Sequence, residues 1–265
     1  FGLLGPEGAG KTTVISQLLG FASASRGRCF INGKSCHTRS AEIMEFTGYL
    51  PEEISLPEDM TGLAFVRFMA EIKGIKSIER AQQVAERFEL DLDERIRKMS
   101  RRTRKKVGIV CAFMHDPAVI LLDEPMGGLD ALMQGRLNDL ILEEKGKGKT
   151  ILFASHTFEE VERICDRVGM IKKGLMVNVD DIAGIRAAKK KSYIVSFATD
   201  EDAQRFAREG FEVISLSGRQ ITVSLKGEMM PLVKALGSYQ VVGLETVAQS
   251  LEDVFIHFYG GDTRV

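Results

Sequence analysis

The run Gly5-Pro6-Glu7-Gly8-Ala9-Gly10-Lys11-Thr12-Thr13 narrows the fold of this chain more than any other stretch. It follows the apolar Phe1-Gly2-Leu3-Leu4 directly and precedes Val14, Leu18 and Leu19 at helical spacing. The pattern is G-x-x-x-x-G-K-[ST]. Its glycines let the backbone curl so that successive N–H groups point inward at phosphate oxygens, where a Cβ would obstruct. The helix behind the loop aims its positive end at the same anion. In such a loop Lys11 reaches the β- and γ-phosphates, and the Thr12 hydroxyl ligates Mg²⁺. The opening residues read as the tail of a buried strand, so we expect further strands upstream of Phe1.

Apolar strand-like runs recur at Phe1–Leu4, Val119–Leu122, Ile151–Ala154 and Val168–Ile171. Helical patterns such as Ala131–Glu144 and Phe158–Cys165 lie between them. This alternation predicts an α/β domain over residues 1–177, with a mostly parallel sheet covered by helices. Thr61–Asp116 reads as an inserted helical subdomain, with Leu63, Phe65, Phe68 and Met69 on one stripe and Val107, Val110, Cys111 and Met114 on another. After about Asn178 the pattern changes. Strands at Tyr193–Phe197, Phe211–Leu216, Gln220–Leu225 and Val241–Thr246 enclose helices at Glu201–Arg208 and Met230–Leu236. That β-α-β-β-α-β order predicts a small ferredoxin-like α+β domain within 178–265. Ala187–Lys191 is the expected linker, and a helix near Leu251–Tyr259 closes the chain.

Ala118-Val119-Ile120-Leu121-Leu122-Asp123-Glu124-Pro125 reads as a buried strand that ends in two acids and a proline. Ligands bind beyond the carboxyl ends of parallel strands, so both carboxylates should face the phosphate loop. Asp123 would hold Mg²⁺, directly or through water, and Glu124 would orient and deprotonate an attacking water.

The phosphate loop, the Leu121–Pro125 strand end, Gly128-Leu129-Asp130 and His156 follow one another in the order found in ATP-binding cassette (ABC) ATPases. Over residues 1–175 the chain resembles that family. The resemblance implies a P-loop NTPase fold of the ABC type, with ATP as the nucleotide. It also implies that Asp130 sits in a loop communicating across a nucleotide-sandwich dimer, and that His156 contacts the γ-phosphate. Ser250-Leu251-Glu252-Asp253-Val254-Phe255 is similar to the close of ATPase subunits from bacterial antibiotic- and peptide-resistance exporters, which pair with separate membrane subunits.

Two positions depart from the family pattern. Glu52, in Tyr49-Leu50-Pro51-Glu52-Glu53, stands where the family usually has a glutamine that touches Mg²⁺ and the membrane partner. A carboxylate still offers magnesium an oxygen but adds negative charge beside a triphosphate; a water-linked contact and a relaxed site are both open readings. The signature Leu-Ser-Gly-Gly-Gln becomes Met99-Ser100-Arg101-Arg102-Thr103. In the family this helix start caps the γ-phosphate held by the opposite subunit. Ser100 can still cap the helix and donate to phosphate. Arg101 and Arg102 add bulk, and positive charge at a helix N-terminus is disfavoured unless an anion lies nearby. One reading gives the partner's γ-phosphate an arginine; the other is a weakened cap.

Net charge is −1, so no whole-molecule field favours nucleic acid or an anionic membrane. From Arg95 to Lys106 eight residues are Lys or Arg, but aromatic residues for base stacking are absent there, and no nucleic acid is expected. Cys29, Cys36, Cys111 and Cys165 show neither metal-ligand spacing nor a disulfide framework, which fits a reducing cytoplasm. No apolar run approaches the roughly 18 residues that span a bilayer. We therefore expect an ATPase peripheral to the cytoplasmic face of a membrane, working with separate permease subunits and a second nucleotide-binding subunit to drive export. The alternative is a regulatory subunit of low turnover in an asymmetric pair. The altered signature supports it, whereas intact Lys11, Asp123, Glu124 and His156 argue against it.

Overall fold

The computed structural model describes residues 1–188, 190–226 and 228–247. They form two compact units that divide after Val179.

The first unit opens with β1 (Gly2–Leu4), passes through the glycine loop into α1 (Lys11–Leu18), and continues through a short hairpin of β2 (Phe30–Ile31) and β3 (Lys34–Ser35). Next come α2 (Ser40–Glu45), β4 (Thr47–Leu50) and three helices: α3 (Gly62–Ile72), α4 (Glu79–Arg87) and α5 (Arg101–Phe113). The unit then alternates β5 (Val119–Asp123), α6 (Ala131–Gly146), β6 (Thr150–Ser155), α7 (Phe158–Ile164) and β7 (Arg167–Lys172), with β8 (Leu175–Asp181) at the edge.

The six strands lie in the order β4-β5-β6-β1-β7-β8. From β4 to β7 every pairing is parallel, as near-continuous apolar runs with helical crossovers require. Side chains alternate between the two faces. On one face Leu3, Val119, Leu121, Ala154 and Ile171 pack with Ile15 and Leu19 from the α1 segment. Burying a side chain of this size stabilises by about 1.5–3 kcal/mol. On the other face α7 lies so close to β1 that a Cβ on Gly2 would fall 2.3 Å from Val161 Cγ1. Helix α5 lies equally close to β4, where a Cβ on Gly48 would fall 2.1 Å from the Ala112 carbonyl oxygen.

The inserted segment is helical, but the buried stripe of α3 is Gly62, Val66 and Ala70. The expected stripe through Leu63, Phe65, Phe68 and Met69 is displaced around the helix, and Phe68 is 46% exposed. Helix α5 buries Val107 and Val110 as expected, and also Lys105, Gly108, Ile109, Ala112 and Phe113. Its crowded face lies against β4 and the segment beyond it, where a Cβ on Gly108 would fall 2.4 Å from Ile54 Cδ1. Glu144, fully buried in α6, is ion-paired with Arg80, Lys147 and Lys149.

The second unit contains α8 (Ile182–Ala188), β9 (Lys190–Phe197), α9 (Asp200–Phe206), β10 (Glu212–Ser217), β11 (Gln220–Lys226), α10 (Met230–Leu236) and β12 (Val241–Thr246). Its sheet runs β10-β11-β9-β12, with every pairing antiparallel. Tyr193, Val195, Phe197, Ile221, Val223 and Leu225, alternate residues of two strands, pack with Ala203 and Phe206 of α9 and Leu232 and Leu236 of α10. Thr199 caps α9 by accepting from the Asp202 amide at 3.2 Å. In the expected linker Ala187–Lys191, Ala187 and Ala188 instead end α8, and Lys190 and Lys191 begin β9. The expected helix near Leu251–Tyr259 and the Ser250–Phe255 resemblance lie outside the described residues. Among the described residues no helix is long and apolar enough to cross a membrane.

Candidate functional site

Four adjacent strands end at one rim. The register aligns Leu50 with Leu122, Asp123 with Ala154, and Leu4 with Ser155. The residues that follow, Glu52, Glu124, His156 and Gly5–Lys11, therefore emerge side by side. A cleft of about 260 Å³ is lined by the loop residues Glu7, Gly8, Gly10, Lys11, Thr12 and Thr13, together with Glu52, Glu124 and His156.

The loop has the form its glycines permit. Gly10, the N-cap of α1, has φ +106°, and no side chain caps that helix. Its first-turn amides are thus left to an anion rather than to the chain. Pro6 turns the loop, its carbonyl accepting from the Ala9 amide at 3.1 Å. Lys11 is 6% exposed and donates through Nζ to the carbonyls of Gly5 (2.8 Å) and Pro6 (3.1 Å). The same ammonium is ion-paired with Glu124 at 3.1 Å.

Glu124 joins three parts of the rim. One carboxylate oxygen meets Lys11, and the other lies 2.9 Å from His156 Nδ1. Its backbone has φ +44°, a region that non-glycine residues rarely occupy. The backbone is pinned there because its amide donates to the Ala154 carbonyl (3.0 Å) and its carbonyl accepts from Gly127 (3.3 Å) and from Lys105 Nζ (3.2 Å).

Asp123, at the end of β5, is fully buried, and neither carboxylate oxygen has a hydrogen-bond partner. Burial raises its pKa, the nearby Thr12 hydroxyl counteracts this, and the carboxylates of Glu52 and Glu124 push it further up. An orphaned carboxylate beside a threonine hydroxyl and two more carboxylates is what a hard divalent cation needs. The donor set of Asp123, Thr12 and Glu52 therefore fits Mg²⁺.

Ser100 and Asp130 are not in this cleft. Ser100 caps α5, its Oγ accepting from the Thr103 amide at 3.1 Å. Asp130 caps α6 by accepting from Met133 at 3.0 Å, and its second oxygen takes Arg102 at 3.1 Å. The anion needed beside the two arginines is thus supplied within the chain, by Asp130 for Arg102 and by Glu53 for Arg101 at 3.7 Å.

Lys105 escaped the sequence reading. It is 4% exposed, and Nζ donates to the carbonyls of Pro51 (3.1 Å), Glu52 (3.0 Å) and Glu124 (3.2 Å). Burial pushes its pKa down to about 8 although the carboxylates of Glu52, Asp123 and Glu124 act in the opposite direction. Within a run of eight basic residues it looks solvated, but its spacing to Ile109 and Ala112 places it on the buried face.

A family model described as ABC transporter matches residues 1–127. An uncharacterized ABC transporter ATP-binding protein of Synechocystis sp. is 33% identical over 97% of this chain and 73% of its own length. The linearmycin resistance ATP-binding protein LnrL of Bacillus subtilis is 32% identical over 68% of this chain and 59% of its own length. Among solved structures, the ATP-binding subunit of an ABC transporter is 31% identical, with a TM-score of 0.66, over 70% of this chain and 79% of that one. A dimeric ATP-binding cassette in a post-hydrolysis state with ADP and Pi shares the fold at a TM-score of 0.60 and 21% identity, over 68% of this chain and 84% of that one.

Proposed function

This chain belongs to the ATP-binding proteins of ABC transporters, and from that premise we propose that it binds ATP in the cleft at the strand ends and hydrolyses it to drive export through separate membrane subunits. The observation that carries the proposal is the position of Glu124, held between Lys11 and His156 beside the buried Asp123. The loop amides and the positive end of α1 receive the phosphates. A triphosphate in the loop competes with Glu124 for Lys11, freeing a carboxylate oxygen to orient a water and take its proton. That water attacks the γ-phosphorus, the bond to the β-phosphate oxygen breaks, and ADP and phosphate leave. His156, beside Glu124, contacts the γ-phosphate. Asp123, Thr12 and Glu52 would hold Mg²⁺, which when bound neutralises phosphate charge.

In this reading Ser100 and Asp130, outside the chain's own cleft, act on the nucleotide of a second nucleotide-binding subunit. The export direction draws support from the relative named for linearmycin resistance. In this scheme the chain works at the cytoplasmic side of the membrane, docked on its permease partners. The ferredoxin-like unit after Val179 is an accessory domain in this scheme. A second reading, a nucleotide-holding regulatory subunit of low turnover, is favoured by Arg102, which engages Asp130 where the family has a glycine.

Steady-state hydrolysis of MgATP, with Glu124→Gln as the control, tests the main reading. Magnesium-dependent turnover that disappears in the control supports a working motor. Nucleotide binding without turnover supports the regulatory reading.

A further inference from the structure

Lys105 spends all three of its ammonium protons on backbone carbonyls from two different loops. Pro51 and Glu52 follow β4; Glu124 follows β5. Lys105 itself belongs to α5, whose N-cap is Ser100. One buried side chain therefore joins the helix carrying the signature serine to the loop carrying Glu52 and to the backbone of Glu124.

The helix is seated to make this reach possible. Gly48 lets the Ala112 carbonyl approach β4, and Gly108 lets Ile54 lie under the middle of α5. Lys105, one turn before Gly108, consequently lies over Pro51 and Glu52. The carbonyl it holds at Glu124 belongs to a residue in the left-handed region, so the contact acts where the backbone has the least intrinsic preference to stay.

Resting on the reading of Glu124 as the group that activates water, we propose that Lys105 is a positioning residue that fixes the Glu124 backbone and transmits displacement of α5 to it and to the Glu52 loop. Contact of the Ser100 end of α5 with a second subunit would then adjust Glu124 of the same chain, giving each subunit's hydrolysis a mechanical link to its partner's nucleotide.

The test uses the full chain in three forms: wild type, Lys105→Met, which keeps the length and apolar stem, and Lys105→Arg, which restores donors. Two readouts are taken: kcat and KM for MgATP, and amide hydrogen exchange over residues 124–129. Lys105→Met is expected to lower kcat about tenfold or more with KM within about twofold, and to speed exchange over 124–129 while β1 and α1 stay protected. Lys105→Arg is expected to recover most of kcat and the protection. Wild-type kcat and exchange in Lys105→Met would overturn the proposal. So would loosening spread evenly through the first unit, which marks a merely structural lysine. A wild-type chain that binds MgATP without turnover would sink the hydrolysis reading alone; exchange then decides, local acceleration supporting the tether and unchanged exchange overturning it.

Discussion

Arg102, on the first turn of α5, lies 3.1 Å from the carboxylate of Asp130, whose other oxygen caps α6. A surface ion pair therefore fastens the altered signature to a loop that in the family serves the opposite subunit. Both side chains are about half exposed, at 55% and 41%, so the pair contributes little to stability and occupies Asp130 without locking it.

Arg102→Gly is expected to change stability by less than about 1 kcal/mol and to raise ATP turnover, because it frees Asp130 and lets the helix start approach a partner's phosphate. Turnover measured at several salt concentrations checks this. A fall of about 10³-fold or more would instead assign the arginine to the transferred phosphate, on the scale of an arginine acting in trans.

Glu124→Gln is expected to lower kcat by about 10²–10⁴-fold while leaving nucleotide affinity undiminished or raised, because the triphosphate no longer competes with a carboxylate for Lys11. The amide keeps the backbone bonds to Ala154, Gly127 and Lys105 but loses the basic oxygen and the charge that pairs with Lys11. Single-turnover hydrolysis with equilibrium nucleotide titration separates the two effects. Equal losses of binding and turnover would point to a collapsed site.

Glu144 governs stability rather than chemistry. Burial alone would raise its pKa, but hydrogen bonds from Lys147, Lys149 and Arg80 bring it down to about 2. A carboxyl with a depressed folded pKa contributes stability above its unfolded value of 4.5, and that contribution is lost as pH falls toward 2. Glu144→Ala should destabilise by about 1–3 kcal/mol at neutral pH, since it removes a buried acceptor of three cations while Arg80 and Lys149 keep Asp116 as a partner. The variant should also lose part of the wild type's decline in Tm below pH 4.5.

His115 works in a higher window. Burial and the neighbouring Lys73 ammonium lower its pKa to about 4, and its Nε2 lies 3.1 Å from the Thr47 carbonyl. The unfolded chain takes up this proton near pH 6.5 and the folded chain only near 4, so stability falls as pH drops between those values. After allowance for partial exposure the loss is about 2 kcal/mol. His115→Gln should flatten Tm against pH across that interval; an unchanged slope would refute the assignment.

Two glycines in the α5 seat should respond differently. Gly48→Ala drives a Cβ against the Ala112 carbonyl, a backbone atom that cannot step aside. It should cost about 1–3 kcal/mol and lower ATP turnover by shifting Lys105. Gly108→Ala meets the flexible end of Ile54, and the helix gains about 1 kcal/mol of propensity, so the variant should be near neutral. Chemical denaturation of both variants checks the contrast.

The loop and the strand-end acids were legible because each is a local pattern with a local cause: glycines that permit a curl, and an apolar run that stops at Asp123. The inserted segment was legible as helix, but its facing was not. In α3 the buried stripe runs through Gly62, Val66 and Ala70, of which the two small residues carry little hydrophobic signal, while Phe68 reads as core and lies exposed. Lys105 was hidden for the opposite reason. Its charge announces solvent, and only the carbonyls of two distant loops explain its burial. The sequence leaves Arg101 and Arg102 open between a partner's phosphate and a weakened cap because it does not reveal that Asp130 lies within reach of Arg102.

The aligned register at the rim also acts as a ruler. Each of four neighbouring strands delivers its own group to the cleft, and the spacing of those groups is inherited from strand pairing. A one-residue slip in any of these strands would move its group by about 3.3 Å and turn it to the other face. The apolar residues of Val119–Leu122, remote from any phosphate, thereby set the tolerance to which the chemistry is machined, and the interior of the sheet is the gauge block for its edge.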